Sequence, residues 1–245
     1  MEALRRKVTD DALERLRGEI LRGEHQAGQD LPGERELALR LGVSRLTLRA
    51  GLARLESEGL VRPVHGSGTR VLDWRQTGGI ELLGHLVTLG AEGTPGILAS
   101  ILELRRYLAV EAFGMVAERA SAAELGALRA QVRRLAEAAD KGQEYVREDL
   151  FLARMVARST HNVAVSLVAN TIVRMLEREP ALAAVYVLDP KVTVAFYGRV
   201  LDLAEARRPE RVRAFARRLL GRLDRVTLEA LGVTEETLAP REAGL

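Results

Sequence analysis

Residues 41–49 decide the fold of the first part of the chain, and they read Leu41-Gly42-Val43-Ser44-Arg45-Leu46-Thr47-Leu48-Arg49. The glycine is a typical helix end, and the serine two positions later is a favoured N-cap for a new helix. The stretch therefore predicts two helices joined by a very short turn, the second of which runs to a stop at Gly59. Arg45 and Arg49 stand one helical turn apart, so their side chains share one face of that second helix.

The residues upstream of this turn predict two more helical segments. Residues 37–41 form a short amphipathic pattern that ends at the glycine of the turn. Residues 10–22 carry leucines and an isoleucine at helical spacing, and Asp10 or Asp11 is available to cap their first amides. Together with the arginine-bearing helix, these segments predict a domain that begins with three helices.

The residues downstream predict a β-hairpin. Two short apolar pieces, Leu60–Val64 and Thr69–Leu72, are joined by His65-Gly66-Ser67-Gly68. Short β-compatible runs on both sides of a glycine-containing loop are typical of a hairpin. Three helices followed by a hairpin make a winged helix-turn-helix, which we expect to occupy residues 1–73.

The charges are placed unevenly along this domain. The formal net charge of the whole chain is only +3 and does not by itself argue for nucleic acid. Between residues 40 and 70, however, arginines greatly outnumber the two glutamates, Glu56 and Glu58. This placement predicts a basic stripe suited to DNA phosphates. Its members are Arg40, Arg45, Arg49, Arg54, Arg62 and Arg70.

The pattern of the first domain resembles the GntR family of bacterial regulators. The segments that carry the resemblance are residues 31–38, 41–49, 55–61 and 66–69. A helix that enters the major groove needs hydrogen-bond donors near its N-terminal end, which agrees with this resemblance. Together they predict that DNA is contacted by Arg35, Ser44, Arg45, Leu46, Thr47, Arg49, His65 and Gly66.

Two of these assignments have plain alternatives. Arg35 could instead form an ion pair with Glu34 or Glu36, its neighbours in sequence. His65 could be an ordinary turn residue. The arginines of the third helix are more firmly assigned, because the whole surrounding motif supports them.

Two positions depart from the family pattern. Leu46 stands where the family commonly has a threonine, and Ala50-Gly51 replaces a common Glu-Ala. An apolar side chain at position 46 could change the base preference through contact with a thymine methyl group. A glycine inside a helix costs about 1 kcal/mol relative to alanine.

Beyond Asp73 the pattern becomes helical throughout. Residues 74–80 are interpreted as a linker, and residues 81–245 as an all-α helical bundle, which makes the whole chain mainly α. Prolines and a glycine-containing turn separate the expected helices. These helices cover roughly residues 80–90, 96–120, 121–140, 143–160, 162–178, 190–206 and 208–231.

The all-helical second domain resembles the FadR branch of the family. Weaker segments of resemblance are residues 71–80, Glu103-Leu104-Arg105 and Phe196-Tyr197. The resemblance implies an effector-binding and dimerisation domain, fatty acyl-CoA as a candidate effector, and a homodimer that binds a palindromic operator. Residues 216–224 do not reproduce the glycine, serine and tryptophan pattern of that branch, so the ligand could differ.

Many members of this branch hold a divalent metal through an aspartate and three histidines. Here Asp149 matches the aspartate, but Leu152-Ala153 replaces an expected Phe-His pair, and Gly198 stands at a later histidine position. Neither alanine nor glycine has a side-chain donor, so we expect neither metal nor cofactor. The predicted effector-binding residues are Arg105, Asp149 and Tyr197.

These effector residues and one histidine also have alternatives. Asp149 could be a surface acid, and Arg105 could form a salt bridge with Glu103 or Glu111. His161 is interpreted as part of a helix junction rather than as a ligand.

Composition and motifs leave other functions without support. The chain has no cysteine, phosphate loop, nucleophile elbow or paired-histidine motif, so we expect no enzyme. Its apolar runs are shorter than the ~20 residues of a membrane span, which favours a protein of the cytoplasm without membrane contact. The expected function is a transcription regulator, either a repressor or an activator, for which the resemblance implies a role in fatty acid metabolism. Two alternatives remain: a regulator that responds to another carboxylate or sugar acid, and a ligand-independent architectural DNA-binding protein.

Overall fold

The computed structural model describes residues 2–66, 68–89, 96–178 and 189–230, with side chains from residue 11 onward except at 178 and 230. The chain divides into two compact units, Met1–Thr94 and Pro95–Leu245. Ser67 of the predicted hairpin loop and the predicted helix ends at 90 and 231 lie outside the described residues.

The first unit contains the three predicted helices and the predicted two-stranded sheet, followed by two short helices. Its leucine-rich core is formed where the third helix packs on the first and second helices and on the first strand. The elements are α1 (Glu2–Leu21), α2 (Glu34–Leu41), α3 (Arg45–Ser57), β1 (Val61–Val64), β2 (Gly68–Val71), α4 (Trp74–Thr77) and α5 (Leu82–Thr88).

The turn between α2 and α3 has the predicted caps. Gly42 adopts a left-handed conformation, with φ of 67°, and its N–H donates to the carbonyls of Ala38 and Leu39. Ser44 caps α3, since its Oγ accepts the N–H of Thr47 at 3.1 Å. This short turn holds the start of α3 in a fixed position against α2.

Helix α1 begins at Glu2, eight residues before the predicted start. Asp10 and Asp11 therefore lie inside the helix, and the prediction that one of them caps its first amides is wrong. The amphipathic pattern of residues 10–22 marks the buried part of α1, where Leu16 and Ile20 pack in the core. Periodicity detects burial, and the exposed start of a helix carries little of that signal.

The linker region packs on the first unit. Gly59 has φ of 73°, and a Cβ there would lie 2.1 Å from the carbonyl oxygen of Thr77. The Thr77 hydroxyl donates to the Gly59 carbonyl at 2.6 Å. Only glycine allows both this backbone conformation and this close approach.

Helix α5 also belongs to the first unit, whereas we expected the second domain to start at residue 81. Leu82 and Leu86 are buried, and His85 Nδ1 lies 3.3 Å from Glu14 Oε2 of α1. The division between the units therefore falls at residues 94 and 95. The helix predicted in residues 80–90 is present at Leu82–Thr88. Its apolar period, however, does not show which of the two cores the helix packs into.

The second unit is an all-helical bundle, and its helix ends lie within three residues of the predicted ones. Helix α6 is central: it packs against α8, α10 and α11, and α7 packs against α8 and α10. The helices are α6 (Ile97–Arg119), α7 (Ala122–Glu137), α8 (Gln143–Ser159), α9 (Val163–Arg178), α10 (Pro190–Glu205) and α11 (Pro209–Ala230).

Candidate functional site

The N-terminal turn of α3 is exposed and carries the residues assigned to DNA contact. Arg45 is exposed, and Leu46 leaves 81% of its surface open. Ser44 Oγ donates to Thr47 Oγ1 at 2.9 Å while accepting the Thr47 N–H. The Thr47 hydroxyl hydrogen therefore remains able to donate to another acceptor.

Arg49 forms an ion pair with Glu34, with 3.2 Å between Nε and Oε1. The sequence analysis offered Glu34 as a partner of Arg35, but the structure places it beside Arg49. Arg35 is itself exposed on α2. Since the Arg49 side chain is largely exposed, this pair is weak and can exchange its carboxylate for a phosphate or base.

Several arginines of the predicted basic stripe form ion pairs with acidic side chains. Arg40 pairs with Glu19 at 2.8 Å, and Arg70 pairs with Asp30 at 2.8 Å. These acids lie outside the segment whose charges were counted, which is why the sequence overstated the stripe. Arg54 also pairs, at 3.3 Å, with Glu58. Arg45 and Arg62 are the exposed arginines of the stripe for which the described residues provide no acid partner.

The wing is a tight antiparallel hairpin whose tip is exposed. Val61 pairs with Val71, and Val64 pairs with Gly68 at the end of the ladder. Gly66 and Gly68 have φ of 79° and 97°, which side chains rarely adopt. His65 and Gly66 are both exposed. The tip therefore presents an imidazole and bare backbone to the surroundings.

An ionic network beneath α3 was missed by the sequence analysis. Arg17 is 1% exposed and binds Glu58, the C-cap residue of α3, through Nε at 2.7 Å and Nη2 at 2.8 Å. Its Nη1 lies 2.5 Å from Glu14, which also meets His85 of α5. The hydrogen bond from His85 and the Arg17 guanidinium hold the pKa of Glu14 at about 2. The network ties α1, α3 and α5 together.

The second unit contains a partly open cavity of about 310 Å³. Helices α6, α8, α9, α10 and α11 form its walls, and all but four of its twenty lining residues are apolar. Small residues such as Ala109, Ala153 and Ala169 leave the space open. The polar exceptions are Arg105, Asp149, Thr193 and Tyr197, so the three predicted effector residues meet at one cavity.

Asp149 is buried, so the alternative of a surface acid is wrong. It is 3% exposed, and the Tyr197 hydroxyl donates to its Oδ1 at 3.0 Å. Burial raises the pKa of Asp149 to about 6, although the Tyr197 hydrogen bond and the charge of Arg105 act in the opposite direction. A carboxyl group in an apolar wall is therefore held close to its titration range.

Arg105 pairs with Asp224 rather than with Glu103 or Glu111. Its Nη2 lies 2.5 Å from Asp224 Oδ1, and Arg106 Nη1 lies 2.7 Å from Oδ2 of the same carboxylate. Asp224 is itself buried. Arg105, which lines the cavity, is thus held by a carboxylate that also binds Arg106.

The residues around Asp149 do not fit a metal ion. Ala153 lines the cavity one turn from Asp149, and Gly198 follows Tyr197 on α10; neither supplies a donor. His161 lies at the junction of α8 and α9, where its Nε2 meets Glu124 at 3.2 Å. Across the described part of the chain, no three histidine, cysteine, aspartate or glutamate side chains are grouped as metal ligands.

Comparison with known families decides where the chain belongs. Residues 8–71 match the model described as bacterial regulatory proteins of the gntR family, and residues 100–222 match the FCD domain. The chain belongs to the GntR family. The two matches fall in the two units, with the winged helix in the first and the cavity in the second.

Relatives of this GntR protein carry regulator names. The HTH-type transcriptional regulator Mce2R of Mycobacterium tuberculosis is 41% identical over 101 residues, 41% of this chain and 42% of that protein. The chain thus spans less than half of the length of that relative. An uncharacterized HTH-type regulator of the same species is 33% identical over 74% of each chain. The fatty acid metabolism regulator of Edwardsiella ictaluri is 30% identical over 78% of each.

One solved structure shares the fold of this GntR protein over most of its length. Lar, from Listeria monocytogenes, superposes with a TM-score of 0.61 and 17% identity, covering 92% of this chain and 97% of Lar. Within the described residues, no helix combines the length and apolar character that a membrane crossing requires.

Proposed function

We propose that this GntR protein is a transcription regulator that binds an operator through α3 and the wing, with an affinity set by a small molecule in the cavity of the second unit. The observation that carries the proposal is the exposed N-terminal turn of α3. It combines a capped helix start with the donors Arg45, Thr47 and Arg49, which is the arrangement that a major groove requires.

The other predicted DNA contacts have distinct roles in this proposal. Arg35 binds the phosphate backbone, and the capped start at Ser44 does so through its helix N-terminus. Leu46 contacts a thymine methyl group, because its apolar side chain is 81% exposed at the start of α3. His65 and Gly66 bring the wing close to the DNA backbone or minor groove.

The Arg45 contact gives the direct test of DNA binding. An operator is first selected from a random pool of double-stranded DNA and then used in a titration with purified variants. Arg45→Ala should weaken specific binding by roughly 1–3 kcal/mol without changing the melting temperature, because this side chain is solvent-exposed. The matched control Arg133→Ala removes an exposed arginine of α7 and should bind as the wild type does. Equal affinity of both variants would contradict the role of α3.

The effector proposed for the cavity is a molecule with an aliphatic chain, and a fatty acyl-CoA is the candidate. Apolar walls favour such a chain over a sugar acid, whose hydroxyl groups would lose their hydrogen bonds to water. The cavity lies at the lower end of the usual 300–1,000 Å³ for ligand pockets, so the chain fits and the nucleotide part of coenzyme A does not. Arg105, Asp149 and Tyr197 bind the polar end of the chain, without metal.

Filling the cavity tests this effector site. Ala153→Leu places a larger side chain against the ligand and should abolish the effect of a long-chain acyl-CoA on operator affinity. Ala136→Leu, an exposed position on α7, is the matched control. An unchanged response in the Ala153 variant would remove the cavity from the mechanism, and the absence of any response in the wild type would favour ligand-independent DNA binding.

We also propose a homodimer, because one recognition helix contacts too few base pairs for useful specificity. Several large apolar side chains of the second unit are exposed and suit such a contact: Tyr107, Phe151, Val163, Leu167 and Val226. Sedimentation of the full chain should give a dimer, and Leu167→Arg should dissociate it. A monomeric wild type would contradict the proposal. We expect no catalytic activity.

A further inference from the structure

We propose that the cavity binds an aliphatic ligand whose end at Asp149 is an uncharged hydrogen-bonding group, and that it excludes the same chain ending in a carboxylate. This inference rests on the proposed effector function of the cavity. The ligand class includes the thioester end of an acyl-CoA and the hydroxyl end of a fatty alcohol, and the two sources are separated by experiment.

The Arg105 guanidinium already binds a carboxylate. Asp224 accepts from Arg105 at 2.5 Å and from Arg106 at 2.7 Å, and both of its oxygens are used. A ligand carboxylate that took Arg105 would weaken this pair and leave Asp224, which is 3% exposed, short of a counter-charge. A buried charge that loses its partner is strongly unfavourable.

The carboxyl group of Asp149 on the cavity wall also disfavours a ligand carboxylate. It is buried, and the Tyr197 hydroxyl donates to only one of its oxygens in the contacts described. With Asp149 and Asp224 ionised, the cluster of Arg105, Arg106 and these two carboxylates has no net charge. A ligand carboxylate would add an uncompensated negative charge beside Asp149 in an apolar space, where like charges repel strongly.

A ligand with an uncharged end neither takes Arg105 from Asp224 nor places a second negative charge beside Asp149. A hydroxyl group can donate to the Asp149 carboxylate, and a carbonyl group can accept a shared hydrogen bond from the Arg105 guanidinium. Neither displaces Asp224. The remaining walls offer only apolar contact, so chain length sets the rest of the binding.

The cavity volume indicates the length of chain that the cavity accommodates. At about 30 Å³ for one water molecule in the liquid, 310 Å³ equals the space of roughly ten waters. Covalently bonded atoms pack more closely than waters, so roughly ten to fifteen non-hydrogen atoms fit at the density of a protein interior. Ten-carbon probes are therefore suitable.

The test measures binding of 1-decanol, methyl decanoate and decanoate to the delipidated full chain at pH 7.5 by calorimetry. We expect at least one uncharged probe to bind ten-fold or more tightly than decanoate. Decanoyl-CoA is the fourth probe: binding on a par with methyl decanoate assigns the thioester source, and a preference for decanol assigns the alcohol. Both outcomes support a ligand whose end at Asp149 is uncharged.

Two variants test which residues cause the preference for an uncharged ligand over decanoate. Asp149→Asn should improve decanoate binding at least ten-fold by removing the like charge, and Asp224→Asn should do so by releasing Arg105. Asp202→Asn, an exposed acid of α10, is the matched control and should retain the wild-type preference. Because the first two variants act separately, misfolding of the Asp224 variant leaves the Asp149 measurement decisive.

A decanoate affinity within ten-fold of that of the tighter uncharged probe would overturn the inference while leaving the effector function in place. Binding of none of the four probes would overturn the inference and the effector function together. Operator titration of the ligand-free protein measures DNA binding independently of both. A preference that persists unchanged in Asp149→Asn would also count against the assignment, because the like charge would then have no effect.

Discussion

Replacing Asp149 by asparagine should make the protein more stable at alkaline pH and remove one part of its pH dependence. The carboxyl group is buried in an apolar wall, and its pKa is raised from 3.8 to about 6. Asparagine has nearly the same shape but no charge. The substitution therefore isolates the cost of an ionised carboxylate at this position.

The magnitude follows from the shift of the pKa. A rise of about two pKa units corresponds to about 3 kcal/mol at 1.36 kcal/mol per unit. Because the folded state binds the proton of Asp149 more tightly than the unfolded chain does, this stabilisation is fully present below pH 4. It is lost as the pH rises through about 6. We expect Asp149→Asn to match the wild type near pH 4 and to exceed it by up to about 3 kcal/mol at pH 8.

The assay is denaturant unfolding of both proteins at one concentration and at half-unit steps from pH 4 to pH 8. Glu14 and Glu124 have pKa values lowered to about 2, and they titrate alike in both proteins. Their effect cancels in the difference of the unfolding free energies. Asp202→Asn controls for the loss of a charge at an exposed site. A difference that stays constant across this range, or a variant that is less stable at pH 8, would refute the reasoning.

Two further substitutions test the first unit. Gly51→Ala should raise the free energy of unfolding by about 0.5–1 kcal/mol, since glycine is unfavourable inside a helix. The new Cβ would lie 3.5 Å from Leu13 Cδ1, an ordinary contact, so thermal unfolding that shows a loss of stability would reveal an unforeseen clash. Glu34→Gln should increase operator affinity by up to about five-fold at low salt, because an exposed pair worth up to ~1 kcal/mol no longer holds Arg49. Weaker binding in the same DNA titration would instead mean that Glu34 positions Arg49 for contact.

Sequence alone was sufficient for elements that depend on neighbours along the chain. The cap at Ser44 and the left-handed glycine after α2 are local, since each is decided by a hydrogen bond spanning three or four residues. The hairpin and the helices of the second unit follow from turn residues and apolar period in the same way. The position of Arg45 at the exposed start of α3 follows from these local rules.

Tertiary structure decided which charges meet. Arg17 binds Glu58 across 41 residues, and Arg105 binds Asp224 across 119. A helical period shows that two such side chains face inward, but it does not show which helix lies opposite, because partner choice depends on packing of the whole core. For the same reason, counting charges between residues 40 and 70 overstated the basic stripe. The burial of Asp149, and with it the charge balance of the cavity, exists only once five helices have closed around it.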